Sequence, residues 1–223
     1  MNFIEKLENK YNIVLASSSP RRKKLLTSIG LNFITIPPVI DEKTFSYDIF
    51  PQNYCQYLSI YKANNTFSHI KKIRFNNIEK SDTASNYIKN LLDTKPYIII
   101  SADTIVAINN EIFNKPKNDK EAITFLKKLS DNSHTVFTGL TILDSSNGQI
   151  NTRYSKTDVY FRKLNDAEII EYVATGSPLD KAGGYGIQDD YGAFFVRKID
   201  GDYNNVVGLP LELLYEMLLI KIK

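Results

Sequence analysis

The stretch IVLASSSPRRKKLLTSIG, residues 13–30, decides the fold class. Ile13–Ala16 is an apolar run of buried-strand length, and it gives way at Ser17-Ser18-Ser19-Pro20 to a helix start. Ser19 offers an N-cap oxygen, and Pro20 suits the first helical position, where no N–H is needed. Gly30 supplies the stop. Leu25, Leu26 and Ile29 give the helix one apolar face. A buried strand running straight into a capped helix is the unit from which α/β sheets are built.

The same alternation continues outward. Asn32–Ile36 is expected as a second strand, closed by Pro37-Pro38, and Tyr54–Ala63 as a helix with Tyr57, Leu58 and Tyr61 at helical spacing. Asn64–Lys95 is rich in Asn, Lys and Ser and reads as an insertion or long loop with a helix over Tyr87–Leu92. Two apolar runs, Tyr97–Ile100 and Ile105–Ile108, flank Ser101-Ala102-Asp103-Thr104, and Asn109-Asn110 suits a tight turn. Asn118 and Glu121 form a capping-box pattern ahead of Ala122, Phe125, Leu126 and Leu129. His134–Leu143 and Ile150–Phe161 read as paired strands joined at Asp144–Gly148. A second capped helix covers Asn165–Thr175. After it come a Gly183–Gly186 loop, a strand over Ala193–Ile199, a loop over Gly201–Gly208 and a final helix opened by Pro210. Interspersed strands and helices predict an α/β fold with a mixed sheet, as one domain over 1–223 with 64–95 as the insertion.

Composition narrows the chemistry. With 223 residues, 43% hydrophobic and 24% charged, the chain has the material for a sizeable core. Its single cysteine, Cys55, excludes an intrachain disulfide and a thiolate zinc cluster, and two histidines exclude a multi-histidine metal site. Any metal is expected to take hard oxygen ligands, as Mg²⁺ or Mn²⁺ do. A net charge of +3 is too small to imply nucleic acid by itself. No apolar run reaches membrane-span length and the first residues lack a secretory signal, so the expected setting is soluble and cytoplasmic.

Three places break local rules. Arg21 and Arg22 sit in the first turn of a helix, where the macrodipole is already positive. Either a bound phosphate resolves that conflict, or the arginines form a solvated patch with Lys23 and Lys24. Asp103 is read at the carboxyl end of a buried strand, where α/β sheets gather ligands. It serves there as a metal or water-orienting acid, or as a turn residue bonding its own backbone. Gly183-Gly184-Tyr185-Gly186 permits close backbone approach to a ligand, with Lys181 and Gln188 as polar neighbours. Lys62, Lys115 and Lys117 are further cations near loop positions.

Taken in order, LASSSPRRKKLL, SADTIV, EIFNKP, VFTGL, YVATGSPLDKAGGYGIQ and VVGLPLELL resemble the Maf family. The match leaves out only the first dozen residues and the 64–95 stretch. The resemblance implies a strongly twisted mixed sheet flanked by helices, akin to inosine triphosphatases, with two lobes around a cleft. It implies a nucleoside triphosphate pyrophosphatase that cleaves between the α- and β-phosphates with a divalent metal, Mg or Mn, in a cytoplasmic and often homodimeric protein. The SPRR, ADT and YGIQ forms resemble the branch acting on dTTP and UTP rather than the 7-methyl-GTP branch. Carried over residue by residue, Asp103 matches the proton acceptor, and Ser17, Arg21 and Arg22 the phosphate-binding turn. Lys62 and Lys115 match two site lysines. Glu42, beside Asp41, matches a carboxylate near the metal together with Asp103. Arg21, Thr104 and Gln188 match the specificity positions. The inventory suits phosphoanhydride hydrolysis, which needs an oriented water and charge neutralisation. Two other readings stand beside it: a nucleotide- or nucleic-acid-binding regulator of cell division, from the family's association with septum inhibition, and a pyrophosphatase for inosine or xanthosine triphosphate.

Overall fold

Tyr97–Ile108 runs as one continuous twelve-residue strand through the centre of the molecule. The computed structural model describes residues 1–39, 49–75, 88, 90–188 and 190–222. In chain order the elements are α1 (Phe3–Lys10), β1 (Asn12–Leu15), α2 (Pro20–Ser28), β2 (Ile34–Thr35), α3 (Pro51–Phe75), β3 (Tyr97–Ile108), β4 (Glu111–Phe113), α4 (Asp119–Leu129), β5 (Ser133–Asp144), β6 (Ile150–Phe161), α5 (Asp166–Ala174), β7 (Val196–Asp200), α6 (Tyr203–Val207) and α7 (Leu211–Ile222), with 3-10 turns between α5 and β7. The seven strands form one mixed sheet in the order β2-β1-β3-β5-β6-β7, with β4 also on β3. β1 lies parallel to both β2 and β3, and β3 to β7 are antiparallel.

The two partners on one edge of β3 leave a gap. β1 pairs with Tyr97–Ile100 and then departs, with Ala16 N–H still donating to the Ile100 carbonyl. β4 takes over only at Val106. Asp103 and Thr104 sit opposite this gap, so Asp103 is in mid-strand, not at a strand end as the sequence suggested. What ends beside it is the parallel pairing. The apolar runs on either side of Asp103 are one strand because β5 pairs with it without a break from Ile98 to Ala107.

Side chains of β3 alternate between two layers, as a pleated strand requires. Ile99 and Ile105 face α3, Ile99 sharing a cluster with Ala63 and Ile70 and Ile105 one with Cys55 and Leu58. Ile98, Ile100 and Ala102 pack with residues of α1, α2 and α7, and Val106 packs with α4 and α5. Capping boxes start α1 at Asn2/Glu5 and α5 at Asn165/Glu168, and the Asn118 side chain caps α4.

The expected loop from residue 64 is corrected for its first part: α3 continues to Phe75. Its buried face includes Tyr54, Cys55, Leu58, Ser59, Lys62, Ala63, Thr66 and Ile70, a helical stripe that is partly polar. Each polar member has a buried partner. Ser59 Oγ shares a 2.7 Å hydrogen bond with Thr141 Oγ1, and Thr66 donates to the Ile36 carbonyl. The rest of the expected insertion is described only at 88 and 90–95, where 88 and 90–93 are helical. The expected loop over Gly201–Gly208 contains α6, capped by Asp202, and the strand expected from Ala193 begins at Val196.

α3 lies unusually close to β5. A Cβ placed on Gly139 would sit 2.3 Å from the Cys55 carbonyl oxygen, so only glycine admits this helix here. Gly139→Ala is expected to lower stability by at least ~1–3 kcal/mol, the usual cost of overpacking against backbone, read as a fall in the urea midpoint. A second lock lies at the far end of the sheet. Asp144 is buried and accepts from Ser146 Oγ at 2.6 Å, Lys221 Nζ at 3.1 Å and Tyr11 OH at 3.3 Å. Burial pushes its carboxyl up, but the Ser146 donors and Lys221 outweigh that and hold it below the usual carboxylate range. A depressed carboxyl stabilises fully above its unfolded value of ~3.9 and loses that contribution as pH falls through the folded one. Stability measured across pH 2–6 is therefore expected to fall on acidification more steeply in the natural chain than in Asp144→Asn.

Candidate active site

The helix start that follows β1 is built as its residues require. Ser19 Oγ accepts the N–H of Arg22, and Ser17 Oγ accepts the N–H of Ser19, turning the chain into α2 beside the gap in the sheet. Arg22 then reaches across the gap. Its Nε donates to the Gly208 carbonyl at 2.8 Å, Nη1 to Ser17 Oγ at 3.2 Å and Nη2 to Thr104 Oγ1 at 3.1 Å. Arg21 turns the other way, donating to Asp180 Oδ2 at 3.2 Å and to the Asp180 carbonyl at 3.3 Å. The electrostatic misfit of two arginines at a helix start is thus met partly inside the protein.

On the opposite wall, α3 delivers Lys62. Cys55 and Lys62 are seven residues apart on one helix face, and Asp103 pairs in register with Gly139, the residue under Cys55. The close approach at Gly139 therefore brings Lys62 over Asp103, where Nζ lies 2.5 Å from Oδ1. Both side chains are about nine-tenths buried, so this is an ion pair of low local dielectric rather than a surface pair. Cys55 beside it is no nucleophile: burial, with the Asp103 charge adding to it, pushes the thiol up to about 12.

The glycine loop closes the third side. Gly183 has φ +70°, and a Cβ there would meet Val106 at 2.9 Å, so the loop lies directly on β3. Tyr185 OH is 2.7 Å from His134 Nε2, within a cluster of edge-on rings that includes Phe161. Burial lowers His134 to about 3, so the imidazole is a neutral anchor for this loop near neutral pH. Lys181, also buried, donates to Asp180 Oδ1 at 2.7 Å and to Ser177 Oγ at 2.9 Å. Burial raises the Asp180 carboxyl, and Lys181 and Arg21 more than reverse it, leaving it below the ordinary range.

Together these walls enclose a cleft of about 560 Å³. Ser17, Arg21, Arg22, Lys62, Asp103, Thr104, Lys115 and Gln188 all line it, whereas Glu42 and Asp41 lie outside the described residues. Asp180 was not singled out in the sequence, although an acid just before the glycine loop is a natural partner for arginines at a helix start. Among the described lining residues five cations, Arg21, Arg22, Lys62, Lys115 and Lys181, face two carboxylates, Asp103 and Asp180. That balance, with the N-terminus of α2 at the wall, suits a polyanion.

The described residues fit a divalent cation in one manner. No three His, Cys, Asp or Glu side chains cluster among them, which excludes an all-protein cage from that set. Asp180 is engaged by Arg21 and Lys181, while Asp103 gives Oδ1 to Lys62 and has Oδ2 to offer. One carboxylate with phosphate oxygens and water completing the shell is how Mg²⁺ is commonly held beside a nucleotide.

Comparison with known proteins agrees with the motifs. The family model described as Maf-like protein matches residues 12–220. A relative from Caldicellulosiruptor saccharolyticus, named dTTP/UTP pyrophosphatase, is 41% identical over 206 residues, 92% of each chain. Relatives of the same name from Clostridium tetani and Thermosipho melanesiensis are 42% and 43% identical, each over 93% of this chain and 96% of their own.

Because Lys62 is the ion-pair partner of the buried Asp103, removing the lysine takes that cation from the carboxylate. Lys62→Met is expected to cost about 1–3 kcal/mol, the penalty for an unpaired buried polar group. The double variant Lys62→Met/Asp103→Asn is expected to recover part of that loss in chemical denaturation.

Proposed function

The chain belongs to the Maf-like family, and from that premise we propose that it is a nucleoside triphosphate pyrophosphatase acting on dTTP and UTP. The observation that carries this reading is the placement of Asp103. A buried carboxylate is held by Lys62 inside a cleft whose other lining charges are mainly cationic.

In this reading the triphosphate enters with its charge against Lys115, Arg21 and the turn Ser17–Ser19. Ser17 and Arg22 fix the shape of that turn. A water oxygen attacks the α-phosphorus, and the bond from that phosphorus to the oxygen bridging to the β-phosphorus breaks. The bridging oxygen leaves with pyrophosphate. Asp103 takes the proton of the attacking water, with Lys62 holding its carboxylate in place. Asp103, with Glu42 in the family's pattern, would hold a Mg²⁺ or Mn²⁺ ion, which would supply charge neutralisation on the phosphate oxygens. Arg21, Thr104 and Gln188 meet the base. The reading extends to a cytoplasmic homodimer working on free nucleotides, and the near balance of charge, +3, favours those over nucleic acid.

Asp103→Asn is expected to lower kcat by at least ~10²-fold, the scale of a lost general base, while nucleotide binding stays within a few-fold. The check is product chromatography on a nucleotide panel with Mg²⁺ or Mn²⁺, alongside calorimetric binding. Monophosphate and pyrophosphate from dTTP and UTP are expected. Release from inosine or xanthosine triphosphate instead would move the specificity to purines, and tight binding without any turnover would favour a regulator.

A further inference from the structure

Thr104 and Thr138 stand opposite each other in the β3–β5 register, with their hydroxyl oxygens 3.0 Å apart. Distance alone leaves the direction of that bond open, but the neighbours settle it. A threonine hydroxyl carries one proton and two lone pairs. Thr138 Oγ1 lies 3.1 Å from the backbone carbonyl of Asn205, which can only accept and takes the Gly208 N–H on its other lone pair. The network whose bonds are all 3.1 Å or shorter has Thr138 donating to that carbonyl and Thr104 donating to Thr138, whereas the reverse leaves the Thr104 proton only the Gly208 carbonyl at 3.5 Å. Arg22 Nη2, which can only donate, occupies one lone pair of Thr104 at 3.1 Å. The carbonyl of Gly208, 3.5 Å away, is a second inward acceptor for the same proton.

The wiring is held rigidly. Asn205 is fully buried, and its Nδ2 donates to the Val136 carbonyl at 3.1 Å and to Thr157 Oγ1 at 3.0 Å, fixing the carbonyl that Thr138 uses. Thr138 is itself fully buried and does not line the cleft, whereas Thr104 does. Toward a ligand, Thr104 therefore has a single remaining lone pair and no proton.

We propose that Thr138, out of reach of any ligand, is a specificity-determining position that turns Thr104 into an acceptor-only group. The cleft then selects a base that presents an N–H. Uracil and thymine carry a proton on the ring nitrogen between their two carbonyls; cytosine carries a lone pair at that nitrogen and would face the Thr104 lone pair. The inference rests on the pyrimidine reading given above and supplies a physical basis for its choice between pyrimidines. Thr138 is a positioning residue, acting through the direction of one hydrogen bond.

The test compares kcat/KM for UTP and CTP in the natural chain, Thr138→Val and Thr138→Ser, with folding checked by thermal melting. Valine keeps the shape and leaves the Thr104 proton only the 3.5 Å contact to the Gly208 carbonyl, from which an acceptor on the base can draw it. The UTP-to-CTP ratio is expected to fall roughly tenfold or more in Thr138→Val and to return to the natural value in Thr138→Ser. Equal losses on both substrates, with the ratio unchanged, would overturn the proposal and leave Thr138 a packing residue. A second measurement needs no variant: UTP methylated on the ring nitrogen is expected to be a poor substrate of the natural chain, and turnover equal to that of UTP would overturn the proposal. If the natural chain turns over no pyrimidine triphosphate at all, the pyrimidine reading fails and takes this one with it. Turnover of UTP with an unmoved ratio defeats the wiring alone.

Discussion

The arrangement of the site depends on one close approach, the Cys55 carbonyl over Gly139. Everything on the acid side of the cleft is set by it. Gly139 is the register partner of Asp103, and Cys55 lies two helical turns before Lys62, so seating α3 at this point places the ammonium on the carboxylate. A larger residue at 139 would lift the helix from the sheet and pull the pair apart. Gly139 thus shapes the site from under the helix, without a polar atom of its own in it.

The second ingredient is topological. β1 and β4 share one edge of β3 without meeting, and the gap between them exposes Asp103 and Thr104 in mid-strand. Alternation along the strand then divides the labour. Asp103 points toward α3 and its lysine, and Thr104 toward Arg22, Thr138 and the turn at Gly208. Two adjacent residues therefore serve different walls of the same cleft, one handling charge and the other hydrogen-bond direction. The arginines divide similarly, with Arg22 bonded into the frame and Arg21 at the mouth with Asp180.

Local chemistry was legible in the sequence wherever it was complete within a few residues. The Ser19-Pro20 start of α2, the Asn118 and Asn165 caps and the β5–β6 hairpin needed no tertiary context. α3 past Ala63 was not legible, because its buried stripe uses Ser59, Lys62 and Thr66, whose partners lie on other elements. A polar stripe reads as surface until those partners are known. Asp103 looked like a strand-end residue because its own neighbours are polar, and only the unbroken pairing with β5 makes it interior to a strand. Most residues singled out for the site do line one cleft, yet Thr138 and Asn205 carried no signal of their own, and Asp180 only its place just before the glycine loop. Their parts are set by register and by which atom holds a proton, and neither is written in local composition.

A cleft that directs water to the α-phosphorus of a pyrimidine nucleoside triphosphate must leave that water's oxygen in the monophosphate. Turnover of UTP in heavy-oxygen water, with products analysed by mass spectrometry, tests it most directly. One heavy oxygen is expected in the monophosphate and none in pyrophosphate. Label in the pyrophosphate would mean attack at the β-phosphorus, and release of inorganic phosphate would mean attack at the terminal one; either result would contradict it.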